Sequence, residues 1–399
     1  MKILVINCGS SSLKYMLLDM KKQAPMSSGV VERIGEDVGI ITHKDLRDGE
    51  RKFREDHPIP DHDVALRLAV DHLTHPEHGA VAGVHEIDAV GHRVVQGGET
   101  FKAPAVIDKA VTEAIRANIP LAPLHNPANL TGIEVALELF PKCPQVAVFD
   151  TEFHQTMPPR AYIYALPYRL YEELRVRRYG FHGTSHRYVA RTAAKLLGKP
   201  LEKTKLITVH LGNGSSIAAV DGGRCVDTSM GLTPLAGLMM GTRCGDVDPA
   251  VFTFLADNKG MSIKEIDELL NKQSGLKGIC GMNDMRDIHE ARAHGDEKAQ
   301  LAFEMFAYRV KKYIGAYLAV LGGADAVVFT AGIGENDDFV REAACSGLEQ
   351  LGIIIDQTAN QGRKTEACPV HRPESPVQVW VVPTDEELEI ALASRAALS

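Results

Sequence analysis

The sequence predicts an α/β protein made of two duplicated domains. Short apolar runs of strand length alternate with amphipathic helical stretches along the whole chain. With 399 residues, a prior of roughly 150 residues per domain gives two domains, or three. A Gly/Ser-rich turn near the start is also echoed half a chain later.

The strand-length runs are Ile3–Ile6, Ala89–Val95, Val146–Phe149, Leu206–Leu211, Ala326–Thr330 and Val377–Val382. Val64–Leu73 has helical periodicity. A second helix starts after Asn126, with Pro127 at its first position and Leu130, Ile133, Leu137 and Phe140 at helical spacing. A third opens at Thr184–Ser185, either hydroxyl serving as cap, and stops near Gly198. A long helix runs from about Lys298 to Leu321 and ends at Gly322–Gly323. Charged, turn-rich Ser27–Pro60 reads as a meandering β segment.

The echo pairs Asn7-Cys8-Gly9-Ser10-Ser11-Ser12 with Leu211-Gly212-Asn213-Gly214-Ser215-Ser216. Each follows an apolar strand and leads into another apolar run ending in Asp, at Asp19 and Asp221. Both read as β-hairpins, by duplication or by chance recurrence of a common turn. Small residues there let backbone and hydroxyl groups approach a phosphate. The chain contains no G-x-x-x-x-G-K-[ST] loop and no H-R-D or D-F-G set, so this is neither a Walker A protein nor a protein kinase.

Composition narrows the class. The formal net charge is −8 with no basic tract, which disfavours a nucleic-acid partner. No run approaches the roughly 18 apolar residues of a membrane span, and the N-terminal apolar run is too short for a signal-peptide core. Seven widely spaced cysteines without a C-x-x-C fit a reducing cytoplasm rather than a disulfide framework or zinc site.

Several strand ends and loops carry charge. Arg93 lies in Gly91-His92-Arg93-Val94-Val95, at the end of an apolar strand, placed either for an oxyanion or for a surface ion pair. Asp150 ends the next, where it either orients a ligand or metal or caps a turn. His182 precedes a helix start between glycines, a natural anion site. Arg243 lies in a Gly-bounded loop and, with Arg93, can neutralise a transferring phosphoryl group. Asp284-Met285-Arg286 and Gly332-Ile333-Gly334-Glu335-Asn336 follow, the latter letting backbone pack against a flat ligand. Thr384 and Glu387 fit a T-x-x-E capping box, which leaves Glu386 as the better metal ligand or as a simple complement to the helix dipole.

Together these stretches resemble the acetokinase family of acetate kinases, within the superfamily that shares a nucleotide-binding fold with sugar kinases, Hsp70 and actin. The motifs GHRVV, LHNPANL, FHQTMP, YGFHGTSH, HLGNGSS, DTSMGLTPL, MMGTRCGDVDP, NDMR and AGIGEN occur in the family's order across nearly the whole chain. The resemblance implies two ribonuclease H-like domains with an interdomain cleft, divided as 1–150 plus 384–399 and a nucleotide-binding lobe of 151–383. It implies Mg²⁺ (or Mn²⁺) held by Asn7 and Glu386. Arg93, His182 and Arg243 would stabilise the phosphoryl group, with Asp150 as the catalytic carboxylate. ATP or ADP would meet Lys14, His210, Leu211, Gly212, Asn213, Gly214, Asp284, Met285, Arg286, Gly332, Ile333, Gly334, Glu335 and Asn336. Val95, Leu124, Phe181 and Pro234, with Arg93, would line the pocket for acetate. The implied enzyme is a cytoplasmic homodimer making acetyl phosphate by direct in-line transfer, or a propionate or butyrate kinase of the same family. An ATP-driven conformational switch of the Hsp70/actin type is the distant alternative; the Arg93, His182 and Arg243 stretches, suited to an acceptor, disfavour it. Three departures from the family pattern are Gln96 for a frequent His, Asp385 for the usual Asn, and Lys277 within SGLKGICG.

Overall fold

Strand β1 (Lys2–Cys8) is buried along most of its length, as expected of an apolar run with neighbours on both sides. In the computed structural model, which describes residues 1–123 and 125–399, it lies inside an eight-stranded sheet. β2 (Ser12–Asp19) returns antiparallel, with Asn7 opposite Lys14. β3 (Ala24–Glu32), β4 (Gly39–Asp45) and β5 (Arg51–His57) continue the meander. β5 is an exposed edge bearing Arg51, Lys52 and Arg54, charges that discourage further strand pairing. Beyond β1, β6 (Ala89–Val94) and β8 (Gln145–Phe149) run parallel to it, and β7 (Ala105–Val106) closes the edge antiparallel to β8.

Period-two alternation along β1 makes layers. Leu4 and Ile6 pack with Ala65 and Leu66 of helix His62–Leu73 and Val135 of helix Asn126–Leu139. Ile3 and Val5 face Ile390 and Ala391 of the terminal helix Glu386–Ala397. The unit formed is Met1–Phe153 with Asp385–Ser399.

The second unit, His154–Thr384, carries β9 (Lys205–Leu211), β10 (Ser215–Asp221), β11 (Arg224–Thr228), β12 (Ala326–Thr330), β13 (Cys368–Pro369) and β14 (Gln378–Val381). β9 and β10 form a hairpin with Leu211 opposite Ser215. β11 follows antiparallel, β12 and β14 extend the other side in parallel, and β13 closes antiparallel. Both sheets share a connection pattern, an antiparallel meander followed by two parallel strands and an antiparallel edge, with five strands in the first meander and three in the second. Helix Glu297–Leu321 buries Phe303, Phe306, Val310, Ile314 and Tyr317 at helical spacing. Asp296 caps its start, and Gly322 at φ 65° ends it.

Two helix starts differ from expectation. Helix Glu386–Ala397 is capped by Asp385, whose carboxylate accepts the Leu388 N–H at 2.9 Å. The Thr384/Glu387 box does not form, because Thr384 bonds Ser185 Oγ (2.9 Å) and its N–H donates to Glu335. Helix Gly183–Leu196 starts from His182 in the left-handed region (φ 58°), so Thr184 and Ser185 lie within its first turn rather than capping it. Asp385→Ala should therefore destabilise the protein by about 1 kcal/mol in chemical denaturation, and Asp385→Asn by only a few tenths. Equal losses for both would mean that the cap contributes nothing.

Candidate functional site

The parallel strands of the first unit end in polar groups. Arg93, on β6, donates from Nε to Asp150 Oδ1 (3.1 Å) and from Nη2 to Oδ2, a bidentate pair just past the end of β8. Its Nη1 donates to Asn7 Oδ1 at 3.3 Å on β1. Asp150 is buried and Arg93 partly so. Burial opposes the Arg93 charge, but Asp150, Glu386 and Glu387 outweigh it and raise the guanidinium pKa. Arg93 is thus ion-paired, within a strand-end cluster. Asn129 binds the two strand ends together, donating to Cys8 O (2.7 Å) and accepting from Val95 N (3.0 Å).

Asp385, Glu386 and Glu387 crowd one helix start. Burial and the neighbouring Glu386 charge raise the pKa of both Asp385 and Glu387. Asn7 and these carboxylates are hard oxygen donors, the kind Mg²⁺ selects. Among the described residues no group of three or more His, Cys, Asp or Glu is disposed to enclose a metal ion. Lys14 is exposed on β2 opposite Asn7, and its charge acts on Glu387.

In the second unit, His182 and Arg243 flank the β9–β10 turn. A Cβ on Gly214 would stand 3.4 Å from His182 Nε2 and 3.6 Å from Arg243 Nη1. Among the described residues Arg243 pairs with no carboxylate; its Nη1 donates to Pro234 O at 3.1 Å. Burial lowers its pKa, so an incoming anion would relieve an uncompensated charge. The loop is fixed by Met240 N–H to Arg243 O (3.1 Å), Leu276 N–H to Met240 O (2.9 Å) and Gly241 N–H to Asn213 O (3.2 Å). The His182 and His210 rings stack at 4.2 Å. Phe181 is buried, and its carbonyl oxygen lies 2.9 Å from His154 Nε2.

One residue from Gly214 opens a cavity of about 720 Å³. Gly212, Asn213, Asp284, Met285, Arg286, Gly332, Ile333 and Asn336 line it, as do Phe339 and Arg363. Arg286 holds the Asp284 carboxyl down to about 2, and Asp284 caps helix Met285–Ala293. His210, Leu211, Gly214, Gly334 and Glu335 do not line the cavity. Leu211 points into the hydrophobic core. The Gly334 and Glu335 carbonyls accept from Arg341, which is fully buried. Val95 is buried in the first unit and Pro234 half-buried in the second. Leu124 lies outside the described residues.

Phe339, more than half exposed, was missed because it lies just past the Gly332–Asn336 stretch on the next helix, Asp338–Cys345, and Arg363 because it is remote in sequence from the glycine loops. Of the departures, Gln96 is fully buried, its backbone exchanging hydrogen bonds with the Asn126 side chain. Lys277 is exposed, and only its backbone N–H reaches Gly241 O (2.9 Å).

The model of the acetokinase family matches residues 2–392. The acetate kinase of Nitratidesulfovibrio vulgaris (strain DP4) is 59% identical over 396 residues, covering 99% of this chain and 98% of that protein. The acetate kinase of Methanosarcina barkeri is 57% identical over 392 residues, covering 98% and 95%. Among solved structures, Porphyromonas gingivalis acetate kinase matches with a TM-score of 0.96 at 47% identity, covering 100% of both chains. A propionate kinase from Francisella tularensis matches with a TM-score of 0.92 at 43% identity, covering 99% of both.

Gly275 holds the Arg243 loop in place. At φ +62°, a Cβ there would meet Met240 O at 2.1 Å and Arg243 O at 2.7 Å. Gly275→Ala should cost at least about 2 kcal/mol in denaturant unfolding, from left-handed strain plus the clash. An unchanged midpoint would show that the loop yields freely.

Proposed function

The chain belongs to the acetokinase family, and on that premise we propose that it reversibly transfers the γ-phosphoryl group of ATP to acetate, giving acetyl phosphate and ADP. The observation that carries this reading is that His182 and Arg243, which pairs with no carboxylate among the described residues, both stand beside Gly214, one residue from the cavity lining. A nucleotide seated against Gly332–Ile333 and Asp284–Arg286 would direct its terminal phosphate toward that imidazole and guanidinium.

Acetate is fully ionised at neutral pH, since carboxyl groups titrate near pH 4. It needs no general base. The barrier is repulsion between this anion and the γ-phosphoryl group, so catalysis is mainly positioning and charge stabilisation. Arg243 and His182 supply donors to the phosphoryl oxygens. Arg93 supplies a second guanidinium, and Asp150, by binding it bidentately, fixes its plane. Asn7 and Glu386 would hold Mg²⁺, with Mn²⁺ able to take the same oxygen donors; bound there, the ion would neutralise phosphate charge. Lys14 adds positive charge beside that metal site. In-line attack of the carboxylate oxygen on phosphorus forms the acyl–phosphate bond as the bond to ADP breaks. The product is a mixed anhydride, so the reverse reaction runs readily.

Val95, Leu124, Phe181 and Pro234 are proposed to wall the acid's methyl group. One extra methylene changes binding by only about 1–3 kcal/mol, and a propionate kinase shares this fold at 43% identity, so propionate is expected as a slower substrate. We also read the enzyme as a cytoplasmic homodimer. All seven cysteines are free, and no described helix is long and apolar enough to cross a membrane. Leu166, Tyr168 and Leu174 are each more than half exposed, available for a subunit contact.

With MgATP, acetate and hydroxylamine, the protein should form acetohydroxamate. Absence of hydroxamate with acetate, propionate and butyrate alike would defeat the assignment. Arg93→Ala and Arg243→Ala should each lower kcat by roughly 10²–10³, and near-normal turnover would remove that residue from the mechanism. His182→Ala should also lower kcat; a change in KM alone would make the imidazole a ground-state binder.

A further inference from the structure

One histidine of the second unit has no role in the mechanism above. His186 is fully buried on helix Gly183–Leu196. Its Nδ1 lies 2.7 Å from Thr208 Oγ1 on β9, and its Nε2 lies 2.8 Å from Ser216 Oγ on β10. The same Ser216 oxygen is 2.8 Å from His182 Nδ1. Thr208 and Ser216 are also fully buried. Four side chains thus form one line: Thr208, His186, Ser216, His182.

Counting protons gives the line a direction. Ser216 has one O–H and two acceptor lone pairs, and its oxygen's hydrogen-bond partners among the described residues are the two imidazoles; accepting from both would leave its own buried proton without an acceptor, so it donates to one ring and accepts from the other. His186 is neutral, since burial first and then the neighbouring rings of His154 and His210 hold its pKa well below the usual histidine value. Two arrangements satisfy these counts. In the first, Thr208 donates to His186 Nδ1, His186 Nε2–H donates to Ser216, and Ser216 donates to His182 Nδ1. In the second, every bond is reversed. The Thr208 proton then has no acceptor, because the hydroxyl's one hydrogen-bond partner among the described residues is His186. A buried donor left unmade costs about 1–3 kcal/mol, and the first arrangement avoids this.

We infer that Thr208, His186 and Ser216 form a one-way hydrogen-bond chain that holds His182 in its Nε2–H tautomer, so that it offers an N–H rather than a lone pair to an anionic phosphoryl oxygen. The partner on one ring nitrogen sets the protonation of the other. His182 Nε2 faces the Gly214 turn beside Arg243 Nη1, where a lone pair would repel phosphate oxygens. Thr208, His186 and Ser216 are positioning residues, acting through His182. The consequence for catalysis rests on the assignment of His182 to the phosphoryl group; the tautomer itself does not.

Two-bond ¹H–¹⁵N correlation spectra of the full-length protein with ¹⁵N-labelled histidine, at neutral pH, read each ring's tautomer. His182 is identified by the signals lost in His182→Ala. Both His182 and His186 are expected to carry their proton on Nε2 and none on Nδ1. Ser216→Ala should erase that preference at His182 and lower kcat on the order of tenfold, less than the 10²–10³ expected for losing the donor outright. The KM for ATP should stay within about twofold. Thr208→Val, which never touches the His182 ring, should shift the same tautomer balance. A proton on Nδ1 of either ring in the unsubstituted protein overturns the inference, as does an unchanged His182 tautomer in Ser216→Ala. The unsubstituted spectrum decides the matter even if a variant fails to fold. Normal turnover in His182→Ala would remove the phosphoryl role while leaving the tautomer result intact.

Discussion

A partly buried guanidinium with no carboxylate beside it among the described residues is the constraint that organises the second unit. Removing Arg243 from water costs free energy that the Pro234 carbonyl only partly returns. Such a side chain would relax away from its position unless its loop were held. The bonds to Met240, Leu276 and Asn213, with Gly275 packed against the backbone, hold it. The charge left over is then available to an anion, and the same fixation makes it a preorganised donor rather than a mobile one.

Arg93 meets the opposite circumstances. Its charge is matched by Asp150 and reinforced by Glu386 and Glu387, so it gains orientation at the expense of free positive charge. The two guanidiniums are therefore not interchangeable, since one is aimed by a carboxylate and the other is left uncompensated. The duplicated sheets carry this contrast. Each has a hairpin beside two parallel strands, yet the first ends in Asn7 near acidic groups and the second in Gly214 and Ser216 near imidazoles. One topology has been fitted with complementary chemistry.

Much of this was legible in the sequence for local reasons. Apolar runs marked six strands because each is buried in a sheet, and Pro127 and Gly322 marked helix ends because they restrict φ or permit its positive range. Family motifs located the charged strand ends. What local pattern missed depends on choices made in three dimensions. Thr384 looked like a cap, but Ser185 and Glu335 claim it, so the cap moves one residue to Asp385. Leu211 was grouped with its motif neighbours, although strand alternation turns it into the core. Thr208, His186 and Ser216 meet only because one helix packs on two strands, and no spacing in the sequence announces that.

The central claim is that fixed cations let two anions meet and exchange phosphorus, and the most direct measurement is a crystal structure grown with MgADP, aluminium fluoride and acetate. The account predicts a planar fluoride between the ADP β-phosphate and the acetate carboxylate. Arg93, Arg243 and His182 Nε2 would each donate to it within about 3.2 Å, the usual hydrogen-bond limit. A fluoride bound without either guanidinium, or an acetate not in line with it, would contradict the account.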